Sequence, residues 1–243
     1  MELHVEGICD IGLVRKTNQD KLFMDGEIFT NGQKEIVVKT DQTRAFVVAD
    51  GMGGHKAGDV ASAVVLESFS LFAGQRKKLS DFESFRQDIF QWTENITRQL
   101  ETMGNKNPNL GGMGTTLTGI IFDPEYAFIF NAGDSRIYQY RKGQLKQLTT
   151  DHSLANATGN KYAPSNLLVN SIGGGLESYV DVENVSGLFQ KGDLLIICSD
   201  GLTDMLNDEQ IKYLCEPLNT RKMVDQAKEQ GGRDNISVIT IYF

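Results

Sequence analysis

Two apolar runs that end on the same dipeptide constrain this chain more than anything else in it. One is Arg44-Ala-Phe-Val-Val-Ala-Asp50-Gly51, the other Leu194-Leu-Ile-Ile-Cys-Ser-Asp200-Gly201. Neither alternates apolar with polar residues, so each reads as a strand buried on both faces. A carboxylate at the end of such a strand sits at the rim of the core. Asp20 follows Thr-Asn-Gln, and Asp234 lies in Gly-Gly-Arg-Asp-Asn. Carboxylates gathered at one rim repel each other, and some must protonate unless cations neutralise them. If these four converge, they suit hard divalent ions with oxygen ligands, acting on an oxygen-rich, anionic substrate.

Patterning predicts further strands over 3–8, 21–24, 117–122, 126–131, 137–140, 144–148, 179–185 and 236–242. Residues 25–43 read as a polar hairpin insertion around Asn31-Gly32, and 105–114 as a loop. Helical spacing covers 60–72. A capping-box pattern, Ser80-Asp-Phe-Glu83, opens a second helix running to about Leu100. Asn207, with Gln210 at the third helical position, caps a short helix, and another spans 220–230. Residues 151–175 are weakly patterned and read as irregular. Helices come in pairs between groups of strands, which predicts an α+β fold with antiparallel sheets rather than a doubly wound parallel one. Strand signals run from Leu3 to Tyr242 without a linker or repeat, so one domain is expected over 1–243.

The 243 residues carry 32 acidic against 24 basic side chains, a net charge of -8. That balance argues against a nucleic-acid partner. No apolar stretch is read as approaching the ~18 residues of a membrane span, and residues 1–7 lack the pattern of a signal peptide. Cys9, Cys198 and Cys215 are odd in number and widely spaced, giving neither a disulfide framework nor a zinc pattern. A cytoplasmic location is the expectation.

An isolated Asp-Gly is usually a turn. The combination here says more. Arg15-x-x-Asn18-Gln19-Asp20, Asp50-Gly51-Met52-Gly53-Gly54-His55, Met113-Gly114-Thr115-Thr116, Gly133-Asp134-Ser135-Arg136, Thr150-Asp151-His152-Ser153, Ser199-Asp200-Gly201 and Arg233-Asp234-Asn235 follow one another in order. Over nearly the whole chain this resembles the metal-dependent serine/threonine protein phosphatase family, phosphatase 2C, in its compact bacterial form.

The resemblance implies a four-layer αββα sandwich, two antiparallel sheets packed face to face with helix pairs outside. It implies hydrolysis of phosphoserine and phosphothreonine in proteins at a two-metal Mg2+ or Mn2+ centre, opposing a bacterial serine/threonine kinase, by a monomer. On that pattern Asp50 bridges both metals, the Gly51 carbonyl binds one of them, and Asp20, Asp200 and Asp234 complete the site. A hydroxide shared by the metals attacks phosphorus in line, while Arg15 grips two phosphate oxygens with its planar fork. Asp134 and Asp204, with Asp200, are implied as ligands of a third, weaker metal; otherwise they are a turn residue and a helix-entry residue. A phosphatase-like domain that regulates a partner without turnover is the alternative, disfavoured because every core position keeps its aspartate.

Many eukaryotic relatives place a histidine directly after the bridging Asp-Gly; this chain has Met52. His55 and His152 read as hydrogen-bonding supports, and His4 carries no signal. Gly111-Gly112-Met113-Gly114 and Gly173-Gly174-Gly175 match no nucleotide-binding loop and read as turns. Cys9 to Arg15 and Cys215 to Arg221 match the Cys-x5-Arg spacing of cysteine-dependent phosphatases, but neither encloses a glycine-rich phosphate loop. The segment after His152 departs from the family: 154–163 is short, and Ala163-Pro164-Ser165-Asn166 stands where His-Pro is usual. A shortened flap there predicts an open cleft, competent on small aryl phosphates but altered in its choice of phosphoproteins.

Overall fold

A computed structural model describes residues 2–54, 56–160, 162, 167–176, 178–215 and 219–243. His55 and Ala163-Pro164-Ser165-Asn166 therefore lie outside the described residues. The strands are β1 (Glu2–Asp10), β2 (Lys21–Met24), β3 (Glu27–Phe29), β4 (Gly32–Lys39), β5 (Arg44–Ala49), β6 (Gly51–Met52), β7 (Gly114–Thr115), β8 (Leu117–Phe122), β9 (Ala127–Ala132), β10 (Arg136–Arg141), β11 (Gln144–Gln147), β12 (Ile172–Gly173), β13 (Asp181–Asn184), β14 (Leu194–Cys198) and β15 (Ile236–Tyr242). The helices are α1 (Ala57–Gly74), α2 (Phe82–Lys106), α3 (Leu154–Thr158), α4 (Asp200–Thr203), α5 (Asp208–Tyr213) and α6 (Thr220–Glu229).

Two six-stranded antiparallel sheets form, in the orders β11-β10-β14-β15-β1-β4 and β13-β9-β8-β5-β2-β3. Their central strands, such as β5, β8 and β14, are buried on both faces, which explains the unbroken apolar runs. Phe46 and Val48 of β5 turn inward with Leu22, Met24, Ile120, Leu195, Ile197, Ile239 and Ile241, filling the space between the sheets. Val47 and Ala49 turn outward against α1 and α2, where Phe69, Phe72, Phe85 and Trp92 pack. On the far side Ile196 and Cys198 meet Leu202, Leu206, Met223 and Val224. The layers are helix, sheet, sheet, helix, the αββα sandwich implied by the resemblance.

Several local expectations are corrected. Residues 25–43 are not one hairpin about Asn31-Gly32. β3 pairs with β2 through the two-residue turn Asp25-Gly26, both left-handed (φ 50° and 101°), the geometry of a tight hairpin. β4 instead pairs with β1 in the other sheet, so the left-handed Asn31 (φ 55°) lies where the chain changes sheets. The cap of α2 is Asp81, whose Oδ1 accepts from Ser84 N–H at 3.1 Å, one residue beyond the Ser80 pattern, and that helix continues to Lys106. Residues 151–175 hold the short α3 and β12. By length and apolarity (18 residues, mean hydropathy 1.3) α1 could cross a membrane, contrary to the sequence reading; its Ala61, Val65, Leu66, Phe69 and Phe72 are buried in the outer core.

Candidate active site

Sheet register alone brings the aspartates to one end of the sandwich. Lys21 pairs with Ala49, placing Asp20 and Asp50 side by side. Val48 pairs with Thr118 and Leu117 with Ala132, which brings the turn holding Asp134 alongside. In the facing sheet Arg136 pairs with Cys198, and Cys198 with Val238, so Asp200 and Asp234 emerge at the same end. A cleft of about 460 Å³ opens there, lined by Arg15, Asp50, Gly51, Asp134, Asp200 and Asp234 among others. Asp20 lies beneath it, 1% exposed. Asp204 is not a lining residue; it caps the C-terminus of α4, its N–H donating to Asp200 O at 2.7 Å.

Asp50 is held by its backbone. Asp50 N–H donates to Thr116 Oγ1 (3.0 Å), and Asp50 O accepts from Thr116 N–H (2.8 Å) and Thr115 Oγ1 (2.9 Å). Thr116 Oγ1 is in turn 2.9 Å from Ser135 Oγ. The Met-Gly-Thr-Thr and Gly-Asp-Ser-Arg motifs are thus the clamp on Asp50. Gly51 is required by close approach, since a Cβ there would lie 2.2 Å from Gly58 O. At Gly201 a Cβ would lie 1.8 Å from Asn235 O. Ser199 Oγ donates to Asp20 Oδ2 at 2.9 Å. Asn235 stitches the two chain ends together: its Oδ1 accepts from Gln19 N–H (2.9 Å), and its Nδ2 donates to Ile11 O (3.0 Å) and Thr17 O (3.1 Å). Asp234 accepts from its neighbour's N–H through Oδ1 and from Arg15 Nη2 through Oδ2, at 2.5 Å.

This crowding has an electrostatic cost. Loss of solvent, followed by the charges of Asp20, Asp200 and Asp134, lifts Asp50 well above the usual carboxylate range. Asp200 is lifted likewise, by burial and then Asp134. Burial pushes Asp20 up to about 6 despite hydrogen bonds from Ser237 and Ser199. Asp134 also reaches about 6, again chiefly by burial, and burial raises Asp204 while Arg136 opposes. Burial and mutual repulsion link the titration of Asp20, Asp50 and Asp200, so without a cation these carboxyls take up protons more readily than isolated ones.

Asp20 Oδ1 and Asp200 Oδ1 are shielded from solvent and have no hydrogen-bond partner. Orphaned carboxylate oxygens amid raised carboxyls are the donor set a hard divalent cation satisfies. Among the described residues no three acidic, histidine or cysteine side chains already form a finished cage around one point. Asp234 is turned to Arg15, and Asp20 to Ser199.

His152 acts as a structural hub. Its Nδ1 accepts from Gly133 N–H (3.2 Å) and Asn170 Nδ2 (2.6 Å), which leaves Nε2 to donate to Asp181 Oδ2 (2.9 Å). Arg136 holds Asp151 through Nε and Nη2 at 2.7–3.0 Å, tying the Gly-Asp-Ser-Arg turn to the Thr-Asp-His-Ser turn. Leu167, Leu168 and Leu176 line the cleft wall; the first two lie in the weakly patterned segment and Leu176 directly after it, so no sequence pattern marks them out.

The model of the protein phosphatase 2C family matches residues 18–234. A serine/threonine phosphatase, stp, of Listeria innocua serovar 6a is 31% identical over 98% of this chain and 95% of its own length. Among solved structures, the serine/threonine phosphatase of S. agalactiae superposes with a TM-score of 0.82 at 28% identity, covering 99% of both chains. The catalytic domain of the phosphatase PstP, solved in complex with two manganese ions, superposes with a TM-score of 0.76 at 27% identity, over 100% of this chain and 99% of that one.

Proposed function

The chain belongs to the protein phosphatase 2C family and is a protein serine/threonine phosphatase; we propose that it works at a centre of two divalent cations, Mg2+ or Mn2+, held by the aspartates of the cleft. Asp50 would bridge the ions, with the Gly51 carbonyl, Asp20, Asp200 and Asp234 completing their shells. Asp134 and Asp204, with Asp200, would take a third, weaker ion. The observation that supports this most is the convergence of raised, partly orphaned carboxyls from separate segments, Asp20, Asp50, Asp134 and Asp200, on one cleft.

Bound ions would lower the pKa of a water between them and clamp the phosphoryl oxygens. The protein's own groups do the rest. Arg15 releases Asp234 and turns its fork to two phosphate oxygens. Thr115, Thr116 and Ser135 keep Asp50 from swinging as charge builds on phosphorus, a contribution of preorganisation. Met52 stands beside Gly51, and on this reading the leaving serine or threonine oxygen draws its proton from water.

On this reading the whole chain is one catalytic domain, a cytoplasmic monomer opposing a bacterial serine/threonine kinase. Turnover of p-nitrophenyl phosphate with Mn2+, lost on adding chelator and regained with excess metal, is the expected result. Activity indifferent to chelator would overturn the metal assignment. No activity under any metal would favour a regulatory, non-catalytic domain.

A further inference from the structure

The floor of the cleft is polar and its wall is not. Leu167, Leu168 and Leu176 form that wall, and Arg15 is the only cationic lining residue among those described. Leu167 and Leu176 are 52% and 36% exposed. The loop that carries Arg15 also presents Leu13 and Val14, 62% and 64% exposed. Leu13 is fixed there: its N–H donates to Gly232 O at 2.8 Å, and its Cγ lies 3.0 Å from where a Gly232 Cβ would be. Only eleven large apolar side chains are exposed among the described residues, and four of them fall on the two segments flanking this one site. Single exposed leucines need no explanation; a set bordering a ligand cleft marks a contact surface.

We propose that Leu13, Val14, Leu167 and Leu176 form a selectivity rim that favours phosphoserine and phosphothreonine segments flanked by aliphatic residues and turns away acidic ones. The inference rests on the phosphatase reading and names the substrate class of that same site. The occupant follows from continuity: a phosphorylated side chain seated over the carboxylate floor must run its neighbouring residues past this rim. An aliphatic neighbour removes apolar surface from water on both partners. An acidic neighbour gains no counter-charge from the cleft lining, because Arg15, its only cationic residue among those described, is engaged by the phosphate. It also strips water from the rim without replacing its hydrogen bonds.

The test uses three phosphothreonine peptides that differ only in the residues on either side of phosphothreonine: leucine, aspartate or lysine. Hydrolysis is followed as phosphate release with Mn2+, alongside p-nitrophenyl phosphate. The leucine peptide should exceed the aspartate peptide in kcat/KM by about tenfold, the scale on which an apolar contact discriminates. In a Leu167→Ser/Leu176→Ser double variant the same ratio should shrink to about twofold, through KM. Because it compares two substrates on one enzyme, the ratio is insensitive to partial misfolding. Equal rates on all three peptides, a preference for lysine, or a ratio unchanged in the double variant would overturn the rim while p-nitrophenyl phosphate turnover leaves the phosphatase standing. Failure on every substrate would remove the premise and the rim with it.

Discussion

At the residue scale Asp50 carries the sharpest conflict in the molecule. Its backbone is clamped by three hydrogen bonds with Thr115 and Thr116, while burial and the charges of Asp20 and Asp200 oppose ionisation of its carboxyl. Nothing in folding alone requires a carboxylate there, and the neutral amide would relieve the repulsion. Asp50→Asn should therefore lower kcat by about 10³-fold or more, the scale of losing a preorganised electrostatic group. The metal-free variant should nevertheless melt higher than the metal-free parent. A calorimetric scan with a p-nitrophenyl phosphate assay checks both; a variant that keeps its activity, or melts lower without metal, contradicts the account. Arg15 occupies a different position: its side chain is 53% exposed and bound only to Asp234 among the contacts described. Arg15→Ala should raise KM about tenfold or more, as loss of a charge-assisted contact predicts, with a smaller fall in kcat. Steady-state kinetics separates the two, and a pure kcat defect would remove Arg15 from phosphate binding.

At the element scale, the site depends on joining the loop after β1 to the loop before β15. Asn235 does this with three hydrogen bonds to backbone groups 216–224 residues away. It is 4% exposed, so Asn235→Ala leaves the Gln19 N–H and the Ile11 and Thr17 carbonyls short of a partner. The expected loss is about 2–4 kcal/mol, read as a lower denaturation midpoint with an unchanged m-value; a loss under about 0.5 kcal/mol would mean that water takes over those groups. Asn235 stood in the Arg-Asp-Asn motif, but its role as a stitch could not be read there, because its partners are fixed only once β1 and β15 pair. The same boundary divides the rest. Runs such as β5, β8 and β14 were legible because a strand covered on both faces leaves a local apolar signature. The capping box at Asn207 and Gln210 was legible because both halves lie within four residues. The split of 25–43 between sheets was not, since β4 looks alike whether it pairs with β3 or β1. The aspartates were legible from strand ends and neighbouring motifs. The cleft-wall leucines were not, because aliphatic residues in an irregular segment carry no period.

At the scale of the whole molecule, the clustered carboxyls make stability depend on pH in a sense opposite to most acidic surfaces. Burial raises Asp20 and Asp134 to about 6 in the folded protein from 3.8, and lifts Asp50 and Asp200 well above the usual carboxylate range. A carboxyl raised by folding holds its stabilising contribution below the unfolded value and loses it as pH rises through the folded value. Each pH unit between a carboxyl's unfolded and folded values corresponds to about 1.4 kcal/mol, so Asp20 and Asp134 together withdraw on the order of several kcal/mol from the metal-free protein between about pH 4 and pH 6. Asp193, lowered by Arg141 and hydrogen bonds from Gln190 and Gln139 against the pull of burial, works the other way and weakens the fold only toward low pH. The metal-free melting temperature should therefore pass a maximum in mild acid and fall toward neutrality. Divalent ions bind the deprotonated carboxylates, so binding releases protons and grows stronger as pH rises. Saturating Mn2+ at about a hundred times Kd adds about 2.7 kcal/mol and should flatten or reverse the neutral-side decline. Calorimetry at pH 5, 6, 7 and 8, with chelator and with Mn2+, measures both curves in one series. A metal-free melting temperature that climbs steadily from pH 5 to 8 would mean that these carboxyls are not raised by folding, and the case for a cation-demanding centre would lose its electrostatic basis.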